Sequence, residues 1–226
     1  ACDSVVWNGT TYDSSGTYSY GGASNNYSMS FDGLDGSMVT NPIISGNNMS
    51  VCLDFLPYNL SANQQGSAFQ YLLYQGGGGN PPEFLLGFQA DNGGVISFGT
   101  SGTQNSSFSW EELEISNVNV QQNQWNTICV SYSGNGKKIY LNGILIASDQ
   151  LVSIINPQIS SDLYVGSSAT SDYFYGNVDN LHIWNVELSG QEIQQYMNCP
   201  PIGTESNLLG YWNFEEGTCL SPGCAN

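Results

Sequence analysis

Apolar and polar side chains alternate along many short stretches of the chain. Tyr27, Met29 and Phe31 are separated by single polar residues, and the same period of two runs through residues 49–55. This alternation predicts strands with one buried and one exposed face. Further segments with strand character are 67–75, 83–90, 94–99, 111–120, 125–133, 138–141, 144–148, 162–166, 176–185 and 207–214.

Turn-forming residues separate these segments. Gly, Asn, Ser and Thr fill nearly every gap, and pairs such as Asn142-Gly143 favour tight turns between antiparallel strands. A long series of short strands joined in this way predicts an all-β protein built as a sandwich of two antiparallel sheets.

One segment near the C-terminus has the period of a helix instead. Apolar residues stand at i, i+3 and i+4 from Ile193, and Ser189 with Glu192 has the spacing of a capping box. The pattern predicts one short helix over residues 190–197.

The length of 226 residues fits one sandwich-sized domain and does not favour a second full domain. Residues 1–24 contain the Asn8-Gly9 turn signal and are interpreted as an N-terminal hairpin or linker. The main domain is expected over 25–217, followed by a cysteine-containing tail over 218–226.

The charge of the chain restricts its partners. Nineteen acidic residues and two lysines give a formal net charge of −17. Such a chain repels nucleic-acid phosphates and anionic membrane surfaces, so neither is expected to bind. No apolar run approaches the ~20 residues that cross a bilayer, so no membrane insertion is expected.

Six cysteines and a single histidine favour disulfides over zinc, and disulfides indicate an oxidising, extracellular or cell-surface location. The chain begins at Ala1 without a signal-like segment, which is interpreted as a mature or excised secreted fragment. A saline, calcium-containing exterior would also relieve the self-repulsion of so acidic a chain.

Three segments together resemble the laminin G-like and pentraxin superfamily. They are residues 50–55, 125–132 and 175–185, the last containing Gly-x-Val-Asp-x-x-x-Ile-Trp-Asn and followed by Leu-Ser-x-x-Glu-Ile. The resemblance implies a jelly roll of the concanavalin A type over roughly residues 27–214. It also implies a disulfide between Cys52 and Cys129, while Cys2, Cys199, Cys219 and Cys224 remain open among three connectivities.

A candidate calcium site lies in the segment Asp32-Gly33-Leu34-Asp35-Gly36. Its two carboxylates are three residues apart, and the glycines allow carbonyl oxygens to turn inward, as a hard cation requires. Asp179 is a weaker third candidate ligand. The alternative is an ordinary turn, because Asp and Gly favour turns for backbone reasons alone.

Aromatic residues in or beside predicted loops are candidates for stacking on sugar rings. The candidate ligand-binding residues are Tyr58, Trp110, Tyr173 and Tyr175, with Tyr74 as a further member of the set. The alternative is that these rings fill the core or the strand ends.

Glu112 and Glu114 deserve a catalytic hypothesis, since residues two apart on a strand place their carboxylates roughly 6 to 7 Å from each other, near the separation that glycosidases use. Against it, Leu113 stands where glycosidases of this fold carry an orienting Asp. His182, the one imidazole, lies within a predicted strand and is interpreted as a packed or partly exposed residue.

The sequence thus predicts a non-catalytic extracellular adhesion or carbohydrate-binding module, with a glycan or extracellular protein as ligand and calcium as a possible cofactor. Fold analogy carries this step, because one sandwich hosts many functions. The first alternative is a structural unit of a surface filament or adhesin that contacts copies of itself or neighbouring domains. The second is a polysaccharide hydrolase.

Overall fold

A computed structural model describes residues 5–7, 10–12, 27–76, 82–89, 94–104, 107–150 and 161–215. The chain divides into two compact units, Ser28–Phe214 and a smaller one that combines Ala1–Tyr27 with Glu215–Asn226. Within the smaller unit, β1 (Val5–Trp7) pairs antiparallel with β2 (Thr10–Tyr12). The Asn8-Gly9 turn and the tail over 218–226 lie outside the described residues.

The larger unit consists of two antiparallel sheets and a short helix, as the sequence predicts. Its strands are β3 (Met29–Asp32), β4 (Met38–Thr40), β5 (Met49–Pro57), β6 (Phe69–Gln75), β7 (Phe84–Gln89), β8 (Val95–Gln104), β9 (Ser107–Ile115), β10 (Asn126–Ser133), β11 (Gly136–Leu141), β12 (Ile144–Asp149), β13 (Leu163–Val165), β14 (Tyr175–Trp184) and β15 (Leu208–Trp212), and its helix is α1 (Gly190–Asn198).

The strand order shows a jelly-roll sandwich. The seven-stranded sheet runs β12-β11-β10-β5-β14-β15, with β3 also paired to β14, and the six-stranded sheet runs β4-β13-β6-β7-β8-β9. β5 therefore lies between two strands that come far later in the chain. The predicted all-β fold is confirmed.

The core lies between the two sheets. The period of two places one residue in each pair inward, and every inward side chain removed from water contributes about 1.5–3 kcal/mol. Buried residues of this set include Val51, Leu53, Phe55, Phe84, Leu86, Ile96, Phe98, Ile128 and Val130.

Helix α1 covers part of the outer face of the seven-stranded sheet. It begins with the predicted capping box, in which Ser189 Oγ accepts from Glu192 N and the Glu192 carboxylate accepts from Ser189 N. Ile193 is its fully buried residue and packs in a cluster with Trp184, Leu188 and both cysteines of the disulfide. The helix is thus held to the sheet by one apolar stripe.

The disulfide joins Cys52 and Cys129, the pairing that the family resemblance implies. The two residues are directly opposite on β5 and β10, and their neighbours along both strands point into the core. The bond therefore lies on the outer face, beneath α1. Cys199 has no partner among the described residues, and Cys2, Cys219 and Cys224 lie outside them.

One strand ends earlier than the sequence predicts, and a second strand was not predicted. β9 ends at Ile115 and not at residue 120, because Asn117 takes a left-handed conformation (φ 59°) that an extended strand does not continue. β4 was not predicted, since a strand of three residues contains too little alternation to be recognised.

Candidate functional site

The outer face of the six-stranded sheet carries a row of aromatic side chains. Residues directly opposite in an antiparallel pair project from the same face, and the inward positions are those of the core. Phe69, Tyr71 and Tyr74 on β6 therefore point outward, with ring centroids 6.3 Å and 5.8 Å apart along the row. Trp110 on β9 lies on the same face, across the sheet. These four residues are termed the aromatic platform.

Two glycines form the floor of the platform. A Cβ added to Gly87 on β7 would lie 2.6 Å from Cδ1 of Tyr71 and from the carbonyl oxygen of Gln70, and one added to Gly99 on β8 would collide with the indole of Trp110. Both rings therefore lie close against the backbone, across positions that have no side chain. The absence of side chains at these two positions leaves the space that the rings occupy.

Two carboxylates stand beside the rings. Glu112 is opposite Gly99 and Glu114 is opposite Ser97, so both project from the platform face. The Trp110 indole N–H donates to Glu112 Oε2 at 3.4 Å, and Ser97 Oγ donates to Glu114 Oε1 at 3.2 Å. Burial raises the pKa of Glu112, and the hydrogen bond from the indole opposes that shift.

The phenol of Tyr71 stays protonated near neutral pH. Burial raises its pKa, and the negative charges of Asp172 and Glu112 raise it further. Tyr71 thus offers an apolar ring face together with a hydroxyl that donates and accepts hydrogen bonds.

Ser101 adds a polar group to the same face. It is directly opposite Trp110 in the pairing of β8 with β9, and its side chain is fully buried. Among the described residues, its Oγ has no hydrogen-bond partner. Such a buried hydroxyl is destabilising by about 1–3 kcal/mol until it finds a partner.

The basic side chains of the chain lie elsewhere. Lys137 is buried between the sheets, where its Nζ lies 3.4 Å from Oε2 of Glu111 and burial lowers its pKa. Lys138 forms an ion pair with Glu187, and hydrogen bonding to that carboxylate raises the pKa of Lys138. The carboxylates of the platform therefore have no lysine or arginine beside them, since the chain contains two basic residues in all.

A family model described as the concanavalin A-like lectin/glucanases superfamily matches residues 31–194, well over half of the chain. The chain belongs to this superfamily. The match confirms the laminin G-like resemblance that the sequence shows. No curated protein matches the chain in sequence.

Solved structures share the concanavalin A-like fold at low identity. A heptameric SAP-like pentraxin from Limulus polyphemus is 15% identical, with a TM-score of 0.53 and coverage of 74% of this chain and 76% of that one. The Ruminococcus gnavus IT-sialidase CBM40 bound to α2,3-sialyllactose is 16% identical (TM-score 0.54; 75% and 97%). A putative carbohydrate-binding protein from Bacteroides ovatus is 12% identical (TM-score 0.62; 83% and 51%). These likenesses show the fold.

The sequence-predicted ligand residues fall in two places on this concanavalin A-like domain. Trp110 is part of the platform, and Tyr173 lies beside it, because it bridges Tyr71 in a parallel pairing and is 9% exposed. Tyr58 and Tyr175 form a separate edge-to-face pair, with centroids 5.2 Å apart. The structure therefore does not gather the four residues in a single site.

Sequence reasoning singled out Tyr74 and Trp110 but missed Phe69 and Tyr71, half of the platform. Phe69 and Tyr71 occupy outward-facing strand positions, where polar residues are usual. An aromatic residue at such a position is the sequence signal that could have indicated the platform. The role of Gly87 and Gly99 was not visible, since it depends on which ring crosses the sheet above each of them.

The candidate calcium ligands are also separated. Asp32 Oδ1 accepts from Leu34 N at 2.8 Å and from Asp35 N at 3.4 Å, and these backbone hydrogen bonds, the one from Leu34 foremost, lower the pKa of Asp32. Asp179 is buried on β14, opposite Asp54 on β5. It lies four residues along β14 from Tyr175, the pairing partner of Asp32, so Asp179 and Asp32 are roughly 13 Å apart. Among the described residues no three His, Cys, Asp or Glu side chains gather in a group suited to a metal. Calcium binding at Asp32 and Asp35 stays a prediction.

No helix among the residues described here has the length and apolar character that crossing a membrane requires.

Proposed function

We propose that this chain is a carbohydrate-binding domain and that the aromatic platform is its sugar-binding surface. The observation that carries the proposal is the pair of rings, Tyr71 and Trp110, that lie across Gly87 and Gly99 with carboxylates beside them. A pyranose has apolar C–H faces and a rim of hydroxyls. Flat aromatic faces match the first, and carboxylate oxygens accept from the second through strong charge-assisted hydrogen bonds.

The relatives of known fold support the ligand class. One is titled as a carbohydrate-binding module bound to α2,3-sialyllactose and another as a putative carbohydrate-binding protein. Their likeness to this chain lies in the fold, so the residues of the platform are argued from this structure alone.

The setting proposed for the domain is extracellular, as an adhesion or recognition module of a secreted or surface protein. The disulfide between Cys52 and Cys129 and the net charge of −17 both fit an oxidising, saline exterior. Calcium at Asp32 and Asp35 belongs to the same proposal and is tested by measuring binding with millimolar calcium and again with a chelator.

Glycan-array binding of the purified, oxidised chain tests the proposed function. We expect Tyr71→Ala and Trp110→Ala each to weaken binding by about tenfold, because central aromatic residues dominate recognition. Trp125→Ala is the matched control, since Trp125 is 48% exposed at the start of β10 on the other sheet.

Loss of binding in Tyr58→Ala with full binding in Trp110→Ala would move the site to the Tyr58 and Tyr175 pair and contradict the platform. Silence of the wild-type chain on every glycan, with and without calcium, would refute carbohydrate binding and favour a structural unit of a filament or adhesin.

A second candidate function, polysaccharide hydrolysis, rests on Glu112 and Glu114. The two lie on one face, two residues apart, and burial raises the pKa of Glu112 in the direction that suits a general acid. New reducing ends from a bound polysaccharide, lost in Glu112→Gln while binding remains, would support hydrolysis. If no reducing ends appear, binding is the function.

A further inference from the structure

The platform presents negative charge and aromatic faces together. Glu112 and Glu114 project from it, and the Asp172 carboxylate is near enough to Tyr71 to raise the pKa of its phenol. An aromatic face attracts a cation through its quadrupole, and a carboxylate beside it strengthens the attraction. The combination suits a ligand group that is positively charged.

No basic side chain of the chain neutralises this surface. Lys137 is enclosed between the sheets with Glu111, and Lys138 is paired with Glu187 on the other sheet. His182 is buried on that other sheet, and burial lowers its pKa to about 4, so it carries no charge near neutral pH. An anionic sugar such as a sialic acid would meet carboxylates without a cation to pair with.

A second and independent feature marks this face as a place for a polar ligand. Ser101 Oγ is fully buried beside Trp110 and finds no hydrogen-bond partner in the part of the chain that the structure describes. A ligand hydroxyl or ammonium that reaches it by shifting the edge of the indole would satisfy that group and gain the free energy its desolvation costs.

We infer that the platform prefers glycans bearing free amino groups, held as ammonium over Tyr71 and Trp110 and paired with Glu112 and Glu114. The inference rests on the proposed function and narrows its ligand class. An ammonium donates three hydrogen bonds, which Glu112 accepts together with either Glu114 or, nearer Trp110, the Ser101 hydroxyl, because Ser101 and the partner of Glu114 are four residues apart on β8. N-acetylation removes the charge and two of those donors, so it is expected to remove the preference.

The test compares two hexasaccharides that differ only in acetylation, the glucosamine hexamer and the N-acetylglucosamine hexamer, by calorimetry at a pH below the amine pKa. We expect the glucosamine hexamer to bind about tenfold more tightly. Glu112→Gln should weaken it about fivefold and leave the acetylated hexamer unchanged, since charge-assisted hydrogen bonds are about twice as strong as neutral ones.

A chain this acidic attracts any polycation, so the control must remove the same charge elsewhere. Glu192→Gln does this on α1, against the other sheet, and glutamine keeps the capping box. An equal loss in Glu192→Gln and Glu112→Gln would show general attraction and overturn the inference. Equal binding of both hexamers would also overturn it while leaving carbohydrate binding intact. Binding of neither, with no other glycan bound on the array, would refute the proposed function itself.

Discussion

The outer faces of the two sheets differ in what covers them. On the seven-stranded sheet, α1 closes over the disulfide and Trp184, whose indole N–H donates to His182 Nδ1. On the six-stranded sheet, Tyr71 and Trp110 lie across glycines with carboxylates beside them and no helix above them in the described part of the chain. The first is termed the closed face and the second the open face.

Under the proposed function, the closed face serves stability and the open face serves recognition. Asp54 illustrates the closed face, since its carboxylate accepts hydrogen bonds from Thr127 and from Asn180 Nδ2 at 2.9 Å, and burial raises its pKa. Burial also raises the pKa of Glu112 on the open face, and hydrogen bonds from the Trp110 indole and the Ser97 side chain lower it. Substitutions on the two faces should therefore affect different measurements.

The largest expected effect comes from the closed face. Replacing Cys52 and Cys129 together by alanine opens a loop with a sequence separation of 77 residues. The entropic model gives a loss of about 4 kcal/mol in the free energy of unfolding, because the unfolded chain gains conformations. Urea denaturation of the chain and the double variant measures the loss.

Loss of sugar affinity in this double variant, while it is still folded, would contradict the proposed division of the two faces. Under the proposed division of the two faces its affinity should match that of the parent chain. A reduced stability with unchanged sugar affinity would support that division.

The second-largest expected effect is a pH dependence of the free energy of unfolding, which arises on the closed face. Burial lowers the pKa of His182 from 6.5 to about 4, so the unfolded chain binds a proton that the folded chain does not bind between these values. Stability from this group is present above pH 6.5 and is lost as the pH falls toward 4, by about 3 kcal/mol in total. Asp54, with its raised pKa, acts in the opposite direction at the acid end.

His182→Gln isolates the histidine, since glutamine can still accept from the Trp184 indole, which donates to His182 Nδ1 at 2.7 Å. The difference in free energy of unfolding between the chain and this variant should shrink as the pH falls. A constant difference across the window would show that the pKa of His182 is the same in the folded and unfolded chain.

The sequence predicted the closed face better than the open one. The alternation around Phe55, the capping box at Ser189 and the Cys52 pairing implied by family resemblance all concern local spacing or motifs that survive in a linear reading. Their physical cause is burial, which leaves a periodic trace. The short strand Met38–Thr40 left no such trace, because three residues contain too little alternation.

The candidate site was predicted only in part, and the reason is geometric. Trp110 and the pair Glu112 and Glu114 were singled out, but nothing in the sequence states that β6 and β9 lie in one sheet with β7 and β8 between them. Tyr58 and Tyr175 carry the same chemistry, and the fold places them on the other sheet. Residue type predicts what a side chain can do, whereas the strand order determines what it stands beside.

The smallest effect on stability is expected from a substitution on the open face. The same substitution should also lower sugar affinity. Gly87→Ala brings a methyl group to 2.6 Å from Tyr71 Cδ1 and from the Gln70 carbonyl, so the ring must tilt away from the sheet. We expect a loss of about 2 kcal/mol in the free energy of unfolding, as for other overpacked positions. Sugar affinity should fall about tenfold, because the flat surface is lost.

Gly134→Ala is the matched control, since nothing lies within 4 Å of a Cβ added there and its φ is not positive. It should change neither stability nor affinity by a measurable amount. If Gly87→Ala lowers stability but binds sugar normally, the glycine serves packing alone, and the rings above it are part of the fold. If affinity falls far more than stability predicts, the glycine is part of the binding surface, since the folded fraction stays near one while the platform changes shape.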